Sequence, residues 1–281
     1  MRSLLLFGCL SGAACLSGAC AAATSGPAVL SIPDVRAPPV RSGELIMGYD
    51  LAVVSIAAIM ERDLGLPKVQ ASLYFYSNRT AFRTALEGQG YTPEFARDAA
   101  ATLSGIGGFR RVLLNDQSLR WLEWPYRIGL LAHELTHTVQ YEFSGGRRST
   151  SEQWLREGFA EWVEVSVLEA LDLTTWEQAR SITVQRVRDA ARRGSLPTFP
   201  EMVTYPDWVR VIMRGSEEGV YAQALMAVDL LISRHGRAAA IDYFRLFAQS
   251  EDRLANFQSA FGEELSAFDR AFREHLARTL R

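Results

Sequence analysis

Apolar residues recur at three- and four-residue spacing through Ile128, Leu131, Leu135 and Val139, which predicts an amphipathic helix over 125–143. Pro125 suits its first turn, where a missing N–H costs nothing. The polar, glycine-containing run Ser144, Gly145, Gly146, Arg147 and Arg148 breaks the pattern. A second helix is expected to open at Ser149-Thr150-Ser151-Glu152, which has the S-x-x-E form of a capping box, and to run to about Leu171. So short a connection favours antiparallel neighbours, and Gly158, without a side chain, would let the two helices approach closely. Upstream, the pattern predicts a helix over 43–64, a strand over 71–76, a helix capped by Asn78 or Thr80 that ends near Gly88-Gln89-Gly90, and a strand over 109–115. The apolar run 51–60 is too short to span a membrane and reads as part of a buried helix. Downstream, Pro197, Pro200 and Pro206 mark an irregular passage, and helices follow from near Ser216 to the C-terminus, with Gly236 ending the first of them. His235 then reads as a last-turn residue and His275 as a surface residue. The elements add up to an α+β fold, with a small mixed or antiparallel sheet lobe, a predominantly helical C-terminal lobe and a cleft between them.

The first helix of the hairpin carries His133-Glu134-Leu135-Thr136-His137, an H-E-x-x-H motif. Residues four apart lie one turn apart on one face, so both imidazoles can reach a single metal ion. Glu134 lies between them, where a carboxylate can serve as general base. The plain alternative is a helix with two satisfied histidines and a charged neighbour. The second helix changes the balance. His137 and Glu157 each lie about 10 Å from the turn, level across the hairpin. Glu157 can therefore complete a His-His-Glu set that leaves a fourth position open, as a catalytic zinc requires. Glu161, one turn further on, is a candidate partner for the second nitrogen of a ligand histidine; a salt bridge to an arginine is the other reading. One Zn²⁺ per chain is expected from the ligand types, although other divalent metals suit the same donors.

With these residues the chain resembles the gluzincin metallopeptidases, in particular the peptidase MA-like proteins related to the M1 aminopeptidases. The resemblance rests on His133-Glu134-Leu135-Thr136-His137 followed by Trp154-Leu155-Arg156-Glu157-Gly158, and it spans about 125–236. It implies a zincin-like fold with the metal between the lobes, Glu157 as third ligand, and Glu161 bonded to a ligand histidine. It also implies an oxyanion-stabilising tyrosine, for which Tyr221 in Gly219-Val220-Tyr221-Ala222-Gln223-Ala224 is the candidate; a tyrosine that merely packs is the alternative. In that family an edge strand before the metal helix binds the peptide through its main chain, a role expected for 110–114. The segment between His137 and Glu157 is one residue longer than in the aminopeptidases. Their G-x-M-E-N segment, whose glutamate holds a free amino terminus, has no counterpart in Ser104-Gly105-Ile106-Gly107-Gly108-Phe109-Arg110, so aminopeptidase specificity is not implied. The expected activity is metal-assisted hydrolysis of peptide bonds, with a peptide or protein as substrate. The alternative is a non-catalytic zinc protein of the envelope that binds a peptide or protein partner.

Composition narrows the setting. Residues 1–20 read as an export signal, with a minimal basic start and an apolar run, and 21–42 as a flexible proline-containing linker before a domain over 43–281. Leu16-Ser17-Gly18-Ala19-Cys20 resembles a bacterial lipobox, which would place a lipid anchor on Cys20; Ala21-Ala22-Ala23 offers a competing cleavage site. The expected location is the bacterial periplasm or a membrane-anchored lipoprotein. All three cysteines fall within the signal, so the domain has neither a disulfide nor a thiolate metal site. A net charge of -2 without a basic stripe argues against nucleic acid as partner. The arginine-rich run 186–193 is interrupted by Asp189 and reads as a solvated helix face.

Overall fold

Leu73, Val112 and Leu114 are buried on one face of a four-stranded sheet and Leu113 on the other, the split that a strand's period of two produces. The computed structural model describes residues 26–194, 196–215 and 217–281; the proposed export signal and Cys20 lie outside them. Strands β1 (Ala28–Ser31), β2 (Ser72–Tyr76), β3 (Gly105–Gly108) and β4 (Arg111–Asn115) are ordered β1-β2-β4-β3. β2 and β4 run parallel, and β1 and β3 are antiparallel to their neighbours. Five helices accompany the sheet: α1 (Tyr49–Arg62), α2 (Arg79–Gly88), α3 (Pro93–Thr102), the single turn α4 (Asp116–Leu119) and α5 (Trp124–Phe143). Ile56 and Ile59 of α1 and Leu131 and Leu135 of α5 share the main core with the inner sheet face. Phe82 and Leu86 of α2, with three alanines of α3, form a smaller core on the outer face.

The rest of the chain is helical: α6 (Gln153–Ala170), α7 (Trp176–Arg192), α8 (Tyr205–Arg214), α9 (Glu217–Leu246), α10 (Arg253–Phe261) and α11 (Leu265–Thr279). The fold is thus mixed α+β, predominantly helical with one small sheet. α6 lies between α5 and α9 and is buried along most of its length. Trp154 at its start stacks on Phe199 at 4.1 Å, and Phe199 in turn packs on Phe272 of α11. Gly236, at φ 80°, breaks the regular course of α9 where a stop was expected, and the chain then continues helical to Leu246. No helix among the described residues is long and apolar enough to cross a membrane.

Several expectations are revised. Part of the segment read as linker is structured: Ala28–Ser31 pairs with β2, Ile32 is buried, and the Val40 N–H donates to Ser55 Oγ at 2.9 Å. Its prolines fall outside the strand and do not prevent pairing. The helix read over 43–64 starts only at Tyr49, after a 3-10 turn and Gly48. The capping box at Ser149 does not form. Glu251 takes the Thr150 N–H and hydroxyl at 2.9 and 2.7 Å, and α6 starts at Gln153 instead. Gly158 faces α9, not α5: a Cβ there would stand 2.3 Å from the Ala224 carbonyl oxygen. The strand read as the edge, β4, is internal; β1 and β3 are the edge strands, and β3 is the one that borders the metal helix. Its sequence Gly105-Ile106-Gly107-Gly108 resembles a turn because the strand lies directly on α5; a Cβ at Gly107 would meet the Glu134 carbonyl oxygen at 2.3 Å. His275 is half-buried, because α11 turns that side toward α7 and α9.

Candidate metal centre

α5 and α6 bring His133, His137 and Glu157 together, with one donor atom from each within 4.8 Å of the others. Glu157 Oε2 lies 3.3 Å from His133 Nε2 and 3.5 Å from His137 Nε2. All three residues are largely sealed from solvent by the main core. The i, i+4 spacing on α5 supplies the two rings, and the register of the hairpin supplies the carboxylate.

The remaining polar atoms of these side chains are directed outward. Gln140 Nε2 donates to the Arg156 carbonyl at 2.9 Å, which turns Gln140 Oε1 toward His137 Nδ1, also at 2.9 Å. The His137 proton therefore sits on Nδ1, and the Nε2 lone pair faces Glu157. Arg148 donates to Gln153 Oε1 at 2.7 Å, and Gln153 Nε2 then donates to Glu157 Oε1 at 2.6 Å. Oε2 is left toward the histidines. Glu161 Oε1 lies 3.1 Å from His133 Nδ1, where sequence reasoning placed it, and Glu164 Oε2 follows at 3.6 Å. Two imidazole nitrogens and one carboxylate oxygen, with His137 and Glu157 oriented by outer hydrogen bonds and Glu161 close to His133, form a donor set that suits zinc.

The electrostatics point the same way. Burial alone would lower the His133 imidazole; Glu157, Glu161 and Glu164 outweigh it and hold the ring well above the usual histidine range. Burial would raise the Glu157 carboxyl, but the His137 and His133 rings hold it well below the usual carboxylate range. A carboxylate set against two imidazole rings, with Glu161 and Glu164 behind them, is a charge arrangement that favours a cation.

Glu134 sits between the two rings on α5 and accepts the Gly107 N–H through Oε2 at 2.6 Å. Gly107 thus turns its N–H away from β4 and toward the cleft. Gly105, Ile106 and Gly107 line one wall of that cleft, with Tyr91, Tyr205 and Tyr221 around it. The Tyr221 ring centroid is 6.0 Å from that of His133, so the candidate tyrosine reaches the site.

Other residues of the site were not read from the sequence. Burial first, then the charge of Glu157, raises the Tyr205 phenol above its ordinary range and keeps it a proton donor. Its signal was Thr204-Tyr205-Pro206-Asp207, a capping box with proline in the first turn, which places Tyr205 at the start of α8. Glu164 shares a helical face with Glu157 and Glu161, and Gly129 on α5 makes room for it: a Cβ there would lie 2.6 Å from Glu164 Oε1. Arg148 and Arg156 also line the cleft. Burial, with the charge of Arg148 added, lowers the Arg156 guanidinium to about 10, so it stays charged at neutral pH. Nothing in the sequence pattern singles out Arg156, which reads as an ordinary helix residue beside a ligand.

No protein-family model matches the chain, and no curated protein or solved structure matches it either.

Proposed function

We propose that the chain is a zinc-dependent peptidase of zincin-like organisation, acting in the bacterial envelope. The observation that carries this reading is the convergence of His133 Nε2, His137 Nε2 and Glu157 Oε2, the latter two oriented by outer hydrogen bonds, beside a carboxylate that is not one of the three donors. Zinc held by these residues would supply Lewis acidity and the activation of water at neutral pH. Glu134 accepts the proton of the attacking water and returns it to the leaving amine. Gly107 N–H keeps that carboxylate in place through the 2.6 Å bond. Tyr221 donates its hydroxyl to the carbonyl oxygen as negative charge develops there. β3 is an edge strand beside the cleft, and apart from the Gly107 N–H, which Glu134 holds, its outer main-chain groups offer pairing to an extended peptide. The export signal read over 1–20 would carry the chain to the envelope, with Cys20 as lipid anchor or cleavage at Ala21-Ala22-Ala23.

The direct test is cleavage of a mixed peptide library, read by mass spectrometry. Cut peptides support the reading, and cut positions separate endo- from exopeptidase action. Complete silence with zinc bound overturns it in favour of a peptide- or protein-binding zinc protein. Elemental analysis is expected to find one zinc per chain. Glu157→Gln removes the anionic donor and should weaken zinc binding by roughly tenfold or more. Undiminished zinc in that variant would remove Glu157 from the site.

A further inference from the structure

Arg156 is 1 % exposed, yet no carboxylate among the described residues forms an ion pair with it. Its Nη1 reaches only Ser149 Oγ and Ser151 Oγ, both at 3.4 Å, and its Nε has no hydrogen-bond partner. The Tyr141 ring also lies beside it, with its centroid 5.7 Å from the guanidinium carbon. A buried charge with no ion pair in direct contact is costly and a buried N–H without an acceptor is rare, so the arrangement suits an anion. Arg148 lines the same cleft and meets neutral groups, Gln153 Oε1 and the face of Tyr205, with no ion-pair partner among the described residues. Beyond Arg148 the cleft opens into a groove of about 370 Å³ that is also lined by Arg111 and Arg147. Arg147 is engaged by Glu251, and Arg111 has no ion-pair partner among the described residues.

The opposite flank has the other sign. Around Tyr221 a second pocket is lined by Glu161, Glu164, Glu217 and Glu218, with Arg186 as its one cation. A negatively charged group entering the cleft is therefore repelled at one end and drawn to the other.

We propose that Arg148 and Arg156 form a carboxylate-binding subsite, so that preferred peptides carry an acid group close to the scissile bond. This rests on the peptidase reading. The acid is either an Asp or Glu side chain or the peptide's own C-terminal carboxylate, since a guanidinium binds both through paired N–H donors. Recognition by Arg156 satisfies its buried charge and its buried N–H together.

The test uses four fluorescent peptides of one sequence: Glu or Gln beside the scissile bond, each with a free or an amidated C-terminus. Binding to the Glu134→Gln chain is read by fluorescence anisotropy, and kcat/KM is read with the wild type. The acid form is expected to bind roughly tenfold or more tightly than its neutral isostere. Preference for Glu over Gln assigns the side chain, and preference for free acid over amide assigns the C-terminus. Arg148→Gln, at an exposed position that leaves the core intact, should bring that preference close to parity. Equal binding of acid and neutral forms, no binding, or a preference unchanged in Arg148→Gln overturns the subsite. Cleavage without charge preference overturns the subsite and leaves the peptidase reading standing. Charge-selective binding with no cleavage does the reverse.

Discussion

Glu134→Gln is expected to lower peptide turnover by roughly 10²–10⁴-fold while the chain keeps its fold and its zinc. The substitution is nearly isosteric at a buried position, and the new amide oxygen still accepts the Gly107 N–H. Glu134 is not one of the three converging donors, so metal affinity does not depend on it. What is lost is a carboxylate able to take a proton from water and pass it on. Cleavage of a peptide identified in the library, with zinc measured on the same sample, makes the comparison. Turnover equal to that of the wild type would remove Glu134 from the chemistry. Loss of zinc would mean that its role is structural.

Gly158→Ala should destabilise the chain by about 2 kcal/mol and lower its melting temperature by roughly 4–8 °C. The added Cβ would stand 2.3 Å from the Ala224 oxygen and 2.7 Å from its carbonyl carbon, both backbone atoms that cannot swing aside. α6 and α9 must then separate. Glu157 is the residue before Gly158, and Tyr221 lies three residues before Ala224, so separation moves a metal ligand and the candidate oxyanion donor together. Calorimetry should show the loss of stability, and metal titration a weaker site. Gly88→Ala is the control, since nothing lies within 4 Å of a Cβ there, and its effect should stay within about 0.5 kcal/mol. If Gly158→Ala melts with the wild type, the packing of α6 on α9 is not as described.

The hairpin of α5 and α6 was legible because its information is local. Apolar period, proline in the first turn and the glycine break fix two antiparallel helices, and ligand spacing then follows from helix geometry. His133, His137, Glu157 and Glu161 come together as that register requires. Local rules fail where a distant residue competes. Ser149 does not cap α6 because Glu251 holds Thr150, and Gly158 serves α9 and not the neighbouring helix of the hairpin. β3 was hidden for a related reason: Gly105, Gly107 and Gly108 lack the side chains that mark a strand, yet glycine is what a strand needs when it lies against a helix backbone. α3 is rich in alanine and shows little apolar contrast; its signals were Thr92, whose hydroxyl accepts the Phe95 N–H, and Pro93 in the first turn. Burial of Arg156 depends on the elements that surround α6 and has no local trace.

Glu152, at the mouth of α6, is fully buried; Trp154 Nε1 donates to its carboxylate locally, and the cation that neutralises it comes from far down the chain. Arg253 pairs with its carboxylate and Tyr243 Oη accepts its N–H at 2.9 Å, while Glu251 holds Thr150 beside it. Until that distal segment has docked, the loop that carries Arg148 and starts the ligand helix has a charge to bury and nothing to neutralise it. Loop closure over such a separation comes late in folding. The fold therefore contains an order of assembly: the metal ligands lie within one hairpin, but the hairpin's mouth closes only when residues a hundred positions downstream arrive. A nascent chain can present the motif before it can present a finished cleft.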